Sequence, residues 1–139
     1  MGAFDLELSH VRREDGVLVV LVDGDIDVYT HPKLRDYLKG LVVECDEPPV
    51  HVGIDLSDCV YLDSCGLGVL VGLLNHRRKR ELDWGLFVVA PDERTAKIFK
   101  ITGMTNVLPV VDSVEDFHRM WAELPAGEPG GAGGEEACA

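Results

Sequence analysis

Six aspartates stand where two hydrophobic runs of this sequence end, and carboxylates in such positions can do chemistry. The runs are VLVVLV at 17–22 and VHVGIDL at 50–56, and the acids are Asp23, Asp25, Asp27, Asp55, Asp58 and Asp63. Carboxylates at strand ends suit magnesium, and in receiver proteins they also accept phosphate. Such a site needs a lysine at a later strand end, but the run LFVVA at 86–90 leads into Pro91 and Asp92. We therefore favour solvated loop acids, keep metal binding as the alternative, and expect no metal site.

A second group of candidate residues, Asp63-Ser64-Cys65, precedes a stretch of helical periodicity. Asp63 or Ser64 can cap a helix by accepting hydrogen bonds from its free backbone N–H groups, which is a purely structural role. The functional alternative is a side chain held rigidly at an exposed helix start for a partner to reach. The sequence GLGVLVG at 66–72 has the glycines of a phosphate-binding loop, but it lacks the Lys-Ser/Thr and lies inside the helix. We expect close packing on the sheet there, since glycine costs a helix about 1 kcal/mol relative to alanine.

Histidines and cysteines show no catalytic or zinc-binding pattern. None of the five histidines has a companion that suggests a Ser-His-Asp or Cys-His site. The four cysteines form no C-x-x-C motif and have no zinc spacing with histidine; they are Cys45, Cys59, Cys65 and Cys138. Without a secretory signal, free thiols are favoured over disulfides. We expect no enzymatic activity and no cofactor.

Composition limits the possible classes of protein. The chain has 139 residues with 13 Lys+Arg against 25 Asp+Glu, a formal net charge of −12, which argues against nucleic-acid binding. It contains no apolar run of about 18 residues that would span a membrane. Its first residues lack the basic flank and apolar stretch of a secretory signal. We expect one cytoplasmic domain at 1–124, followed by a disordered Gly/Glu-rich tail at 125–139.

The elements that position these residues follow from hydrophobic periodicity. Strands are predicted at 4–9, 17–22, 50–56, 86–90 and 107–111. Helices are predicted from a first turn that contains Pro32 to Val42, and at 64–79, 91–102 and 113–124. Asp15-Gly16 predicts a hairpin turn between the first two strands. Alternating strands and helices then indicate an α/β fold, a mixed sheet of about five strands covered by about four helices. In the second helix, Leu67, Leu70, Val71 and Leu74 are expected on the inward face. The strand-to-helix loops should gather at one end of the sheet, where such folds place their sites.

Several of these residues together resemble one family. Asp55-Leu-Ser57 and the stretch LDSCGLGVL at 62–70 resemble the signature of STAS domains in bacterial anti-sigma factor antagonists, D-L-S-x-x-x-x-[ILM]-D-S-[ST]-G-L-x-x-L. Gly24-Asp-Ile-Asp27 resembles that family's G-E-[IL]-D. The stretch at 91–107, which ends in FKITGMTNV, is similar to its late helix and following turn. The resemblance extends over about 4–124.

The resemblance implies a function in transcription regulation. The unphosphorylated antagonist docks on an anti-sigma factor, often a GHKL-type Ser/Thr kinase, and thereby frees a sigma factor. The kinase ends the docking by phosphorylating a hydroxyl at the helix start, which adds about −1.5 to −2 charges, and a PP2C-type phosphatase restores it. The alternative is a cytoplasmic STAS subunit that docks on an ATPase of a lipid-transport complex. A scaffold in a stress-sensing assembly is a third option.

The resemblance also assigns residues, with one departure. Its phosphoacceptor, a Ser or Thr before the motif glycine, corresponds to Cys65, and Ser64 is the alternative hydroxyl. The partner-binding positions correspond to Asp27, Asp63, Ser64, Cys65, Gly66 and Leu67. The protein would dock constitutively, use Ser64, or sense oxidants through Cys65. A helix N-terminus lowers the pKa of a thiol and Asp63 raises it, so the sequence leaves the direction open. We favour docking that is not switched at position 65.

Overall fold

Five strands form one sheet in the order β1-β2-β3-β4-β5. The computed structural model describes residues 6–45, 47 and 49–123. The strands are β1 (Leu6–Arg12), β2 (Val17–Gly24), β3 (His51–Asp58), β4 (Gly85–Val89) and β5 (Val110–Val111). The pair β1–β2 is antiparallel and each later pair is parallel. The predicted mixed sheet of about five strands is therefore confirmed.

The hairpin between β1 and β2 forms at the predicted turn. Gly16 has φ 90°, a left-handed conformation that glycine adopts without a steric penalty, and Asp15 Oδ1 accepts a hydrogen bond from Val17 N at 3.1 Å. Pairing continues to Arg12 opposite Leu18, so β1 extends past the predicted end at 9. The exposed residues there show little alternation, and only the partner strand defines the true end.

Four helices cover the sheet, as predicted. They are α1 (His31–Leu38), α2 (Ser64–Lys79), α3 (Glu93–Ile101) and α4 (Val114–Glu123). A π-helical turn at Lys39–Val43 continues α1, and a 3₁₀ turn at Met104–Asn106 follows α3. The last strand is only Val110–Val111, shorter than the predicted 107–111, because Val107 is the C-terminal cap of the 3₁₀ turn and cannot begin the strand. The boundary predicted at 124 and the tail lie outside the described residues.

The two faces of the sheet carry separate hydrophobic clusters. The larger cluster joins alternate residues of β2 and β3 to α1, α2 and α3, with Leu34, Leu70 and Phe99 among its buried members. The smaller cluster lies under α4, where Phe117 stacks on Phe87 with ring centroids 3.9 Å apart. A side chain at Gly53 would collide with the Phe87 ring, so this glycine makes room for the stack.

The inward face of α2 differs from the predicted one. Its buried residues are Gly66, Leu70, Leu73 and Arg77, whereas Val71 is 39% exposed. Leu67 and Leu74 pack at the edge of the core as partly buried residues. The prediction for Val71 was wrong. Val71 follows Leu67 by four residues and fits a helical stripe, but Leu73, three residues after Leu70, is buried in its place. Hydrophobic periodicity alone does not decide between these two residues.

Candidate functional site

Two loops at the carboxyl ends of β2 and β3 are joined by backbone hydrogen bonds. Ile26 N donates to Tyr61 O at 2.9 Å, and Asp63 N donates to Ile26 O at 3.2 Å. Ile26 and Leu62 form an isolated parallel bridge and are buried beneath the loops. The loop that carries Asp27 is thereby held beside the start of α2.

Asp63 is the N-cap of α2, and Ser64 is not. Asp63 has an extended backbone conformation, and its Oδ1 accepts a hydrogen bond from Cys65 N at 2.9 Å. This satisfies one of the backbone N–H groups that a helix start leaves without an intrahelical partner. Ser64 is the first helical residue and is exposed, and within the described chain its hydroxyl makes no hydrogen bond. Of the two capping residues considered, Asp63 has the structural role and Ser64 remains available to a partner.

Gly66 brings the start of α2 against the loop after β2. A Cβ at Gly66 would lie 2.8 Å from Ile26 Cγ2 and would collide with Leu62 Cδ1. The expected close packing is therefore confirmed at this glycine. The expectation of close packing is wrong at Gly68 and Gly72, where an added Cβ would meet no atom within 4 Å. These two glycines face outward, away from the sheet.

Asp27 organises the entry to α1. Its Oδ1 accepts hydrogen bonds from Tyr29 N at 2.9 Å, from Thr30 N at 3.0 Å and from Thr30 Oγ1 at 3.2 Å. Partial desolvation acts to raise the pKa of Asp27, but these hydrogen bonds outweigh it and hold the pKa below its usual value. Asp27 is thus an ionised carboxylate with a fixed orientation, half-buried next to the start of α2.

Cys65 lies half-buried between Asp63 and Asp27. Desolvation raises the pKa of its thiol, and the negative charges of Asp63 and Asp27 raise it further. This supplies the direction that the sequence left open: the pKa of the Cys65 thiol is raised, first by desolvation and then by its acidic neighbours. A thiol of raised pKa carries less thiolate at neutral pH, which is the opposite of what oxidant-sensing cysteines need.

Exposed apolar side chains that the sequence analysis missed occupy the same two loops. Val28 and Tyr29 follow Asp27, with Tyr29 68% exposed, and Val60 and Tyr61 precede Leu62, with Val60 69% exposed. Tyrosine is enriched among residues that dominate binding energy at protein interfaces. The signal was present in the sequence as valine-tyrosine pairs inside otherwise polar loops. Because partner binding is predicted here, we call these four residues, together with Asp27, Asp63, Ser64 and Cys65, the docking surface. The other two predicted partner-binding residues are less accessible, since Gly66 is buried and Leu67 is partly buried against the core.

The six aspartates separate into different environments. Asp23 lies opposite Asp58 in the register of β2 and β3. With Asp55 they line a depression of about 510 Å³ that also contains Lys33, whereas Asp27 and Asp63 belong to the docking surface. Asp25 lies near the buried Cys59, whose pKa burial raises. Across residues 6–45, 47 and 49–123, no group of three or more His, Cys, Asp or Glu side chains is placed to hold a metal ion. The structure therefore offers no support for the magnesium alternative.

Other predicted features have plain structural roles. Cys45 and Cys59 are free thiols that donate to the carbonyl oxygens of Val42 and Tyr61, each at 3.2 Å, and Cys65 is also free. Cys138 lies outside the described residues. No helix in the described ranges is both long and apolar enough to cross a membrane.

Comparisons with known proteins give a consistent result. The model of the STAS domain family matches residues 9–117. The chain is 35% identical over 106 residues to an anti-sigma-B factor antagonist of Listeria monocytogenes, covering 76% of this chain and 89% of the relative. It is 34% identical over 111 residues to the anti-sigma-B factor antagonist of Staphylococcus epidermidis, covering 80% and 97%. The crystal structure of an anti-sigma factor antagonist from Mycobacterium paratuberculosis superposes with a TM-score of 0.65 at 26% identity, covering 86% of this chain and 97% of that one.

Proposed function

The chain belongs to the STAS domain family, and on that premise we propose that it is an anti-sigma factor antagonist acting in the cytoplasm. It binds an anti-sigma factor of the GHKL Ser/Thr kinase type and releases a sigma factor by partner switching. Its activity is binding and not catalysis. The names of relatives that are 34–35% identical over most of their own length support this proposal.

The observation that carries the proposal is the docking surface itself. It combines exposed valine and tyrosine side chains with carboxylates that the fold holds in place, notably Asp27 through three hydrogen bonds. A preorganised carboxylate loses little conformational freedom when a partner binds, so more of its interaction energy appears as affinity. Apolar anchors beside negative charge fit a partner that presents a hydrophobic patch flanked by lysine or arginine.

Cys65 determines how the docking is regulated. Its position is that of the family's phosphoacceptor, and it carries a thiol whose pKa is raised, so the uncharged form predominates at neutral pH. An uncharged side chain here keeps the docking surface free of the repulsion that a phosphate would add. We infer constitutive docking, in which neither the kinase nor a PP2C-type phosphatase acts at position 65. Ser64, exposed and adjacent, is the alternative phosphoacceptor.

Recovery of the partner tests the proposed class of function. The tagged full-length chain is purified from the cells that produce it, and the bound proteins are identified by mass spectrometry. Recovery of a GHKL-type kinase with the wild-type chain supports an anti-sigma factor antagonist, provided that the kinase is no longer recovered with the surface variant Tyr29→Ala/Tyr61→Ala. Recovery of a transport ATPase instead, with the same dependence on the two tyrosines, contradicts it in favour of the lipid-transport alternative.

A phosphorylation assay tests the proposed regulation. The purified chain is incubated with that kinase and ATP, and intact mass and peptide mapping locate any phosphate. We expect none on the wild-type chain and one on the matched variant Cys65→Ser, which shows that the kinase accepts this surface. Phosphate on Cys65 contradicts constitutive docking, and phosphate on Ser64 assigns the switch to Ser64.

A further inference from the structure

A groove of about 460 Å³ runs between α1 and α2, and of its lining residues only Cys65 belongs to the docking surface. Its wall on α2 is a stripe that begins at Cys65 and continues through Gly68 and Gly72 to His76. A Cβ at either glycine would point into open space, so the missing side chains create the groove. The stripe runs over twelve residues of helix, and its ends are about 16 Å apart.

The floor of this groove is aliphatic. Leu38 and Val43 contribute from the α1 side, and Val69 and Leu73 contribute from α2. Among the described residues, no Phe, Tyr or Trp side chain lines it, and the rings that do are the imidazoles of His31 and His76. Its volume of about 460 Å³ lies within the range of about 300–1,000 Å³ typical of small-molecule sites. The aliphatic part of the lining and the length of the stripe on α2 fit an extended alkyl chain.

The groove carries basic side chains on an acidic protein. Arg35 and Lys39 are its charged residues, His31 and His76 also line it, and no described aspartate or glutamate does, although the chain as a whole has a net charge of −12. Arg35 contacts the neighbouring Asp36 through Nε at 3.4 Å, a contact that does not use its terminal nitrogens. A guanidinium presents those nitrogens as a fork that matches the two oxygens of a carboxylate.

We propose that the α1–α2 groove binds a single-chain amphipathic carboxylate, with its alkyl chain along Gly68 and Gly72 and its head group on Arg35 and Lys39. The aliphatic residues account for binding of the alkyl chain, and the positive charges of Arg35 and Lys39 account for binding of the anionic head group. Because Cys65 lies at one end of the groove, a bound ligand lies next to the docking surface. The proposal stands independently of which protein docks there.

Titration with matched probes tests the proposed chemistry. The full-length chain, ¹⁵N-labelled, is titrated with decanoate below its micelle concentration, with decyltrimethylammonium, and with acetate, while backbone amide shifts are followed. We expect decanoate to shift the amides of α1 and α2, and the other two probes to bind at least about tenfold more weakly. Equal binding of the cationic probe, shifts confined to other surfaces, or no binding of decanoate overturns the proposal. A partner's acidic helix is then the occupant to test next.

Two variants link the binding to the groove. Gly72→Leu fills the channel from a position with free space, and Gly40→Leu is its control, because Gly40 also has open space but does not line the groove. We expect Gly72→Leu to lose decanoate binding by about tenfold or more and Gly40→Leu to keep it, with thermal denaturation confirming that both are folded. Arg35→Gln, on the exposed side of α1, should weaken decanoate several-fold. Unchanged affinity in both Gly72→Leu and Arg35→Gln overturns the proposed site.

Alkylation of Cys65 gives an independent readout. Because Cys65 lines one end of the groove, bound decanoate should slow its reaction with iodoacetamide, as measured by peptide mapping. The protection should disappear in Gly72→Leu. If decanoate still protects Cys65 in Gly72→Leu, the proposed position of its alkyl chain in the groove is wrong.

Discussion

Cys65 separates two surfaces of opposite character on the same helix. On one side lies the docking surface, where Asp27 and Asp63 are negative and Gly66 is packed tightly against Ile26 and Leu62. On the other side lies the α1–α2 groove, where every charged lining residue is basic and Gly68 and Gly72 have open space beside them. The net charge of −12 therefore agrees with the docking surface but not with the groove. Glycine permits close packing at position 66 and leaves open space at position 68.

The difference between the two kinds of glycine yields the largest expected effect. Gly66→Ala places a methyl group against buried Leu62 and Ile26, and overpacking of this kind costs about 1–3 kcal/mol. Urea denaturation measures the loss as a lower midpoint at unchanged slope. A Gly66→Ala chain as stable as the wild type would show that the start of α2 is not tightly packed.

Neutralising the docking surface should have the next largest effect, on binding and not on folding. Asp27→Asn removes the charge but keeps an oxygen that can accept from Tyr29 N and Thr30 N, whereas Asp27→Arg would also remove those hydrogen bonds. We expect about a tenfold loss of affinity for the anti-sigma partner, equivalent to about 1.4 kcal/mol, measured by calorimetric titration. The control is Asp83→Asn, an exposed acid before the first residue of β4 at the opposite end of the sheet. Equal affinity of Asp27→Asn and Asp83→Asn would remove Asp27 from the contact.

A glycine on the groove side should respond in the opposite direction to Gly66. Gly68→Ala meets no neighbouring atom within 4 Å and removes the helix penalty of glycine, so we expect about 0.5–1 kcal/mol of added stability. The same urea experiment measures it. If Gly68→Ala lowers the stability as much as Gly66→Ala does, then Gly68 is also tightly packed and the two glycines do not differ.

The smallest expected effect concerns the thiol at the boundary. Because the pKa of Cys65 is raised, its thiolate fraction at pH 8 is below that of an ordinary cysteine and increases as the pH rises towards the pKa. Iodoacetamide should therefore modify it more slowly than free cysteine. Asp63→Asn keeps the cap oxygen, removes one of the charges that raise the pKa, and should speed the reaction a few-fold. A rate in Asp63→Asn equal to that of the wild type would show that Asp63 does not act on the thiol.

Sequence patterns predicted the elements better than their orientation. α2 begins at Ser64 and ends at Lys79 as predicted, because Asp63 supplies a cap and basic residues occupy the last turn. The inward face was misassigned at Val71, since Val71 and Leu73 both fit an apolar stripe and only the packed structure shows that Leu73 is the buried one. Likewise, the motif located Asp27, but only the hydrogen bonds between the two loops place it beside Cys65.

The sequence by itself determined the family, the order of strands and helices along the chain, and the bounds of α2 at Ser64 and Lys79. These features depend on local conformational propensity, on hydrophobic periodicity and on motif spacing, all of which are properties of neighbouring residues in the sequence. The tertiary structure alone decided the direction of the pKa shift of Cys65, the separate roles of Gly66 and Gly72, and the existence of a basic groove on an acidic protein. Each of these depends on which atoms from distant parts of the chain come within a few ångströms, and a linear pattern does not contain those distances.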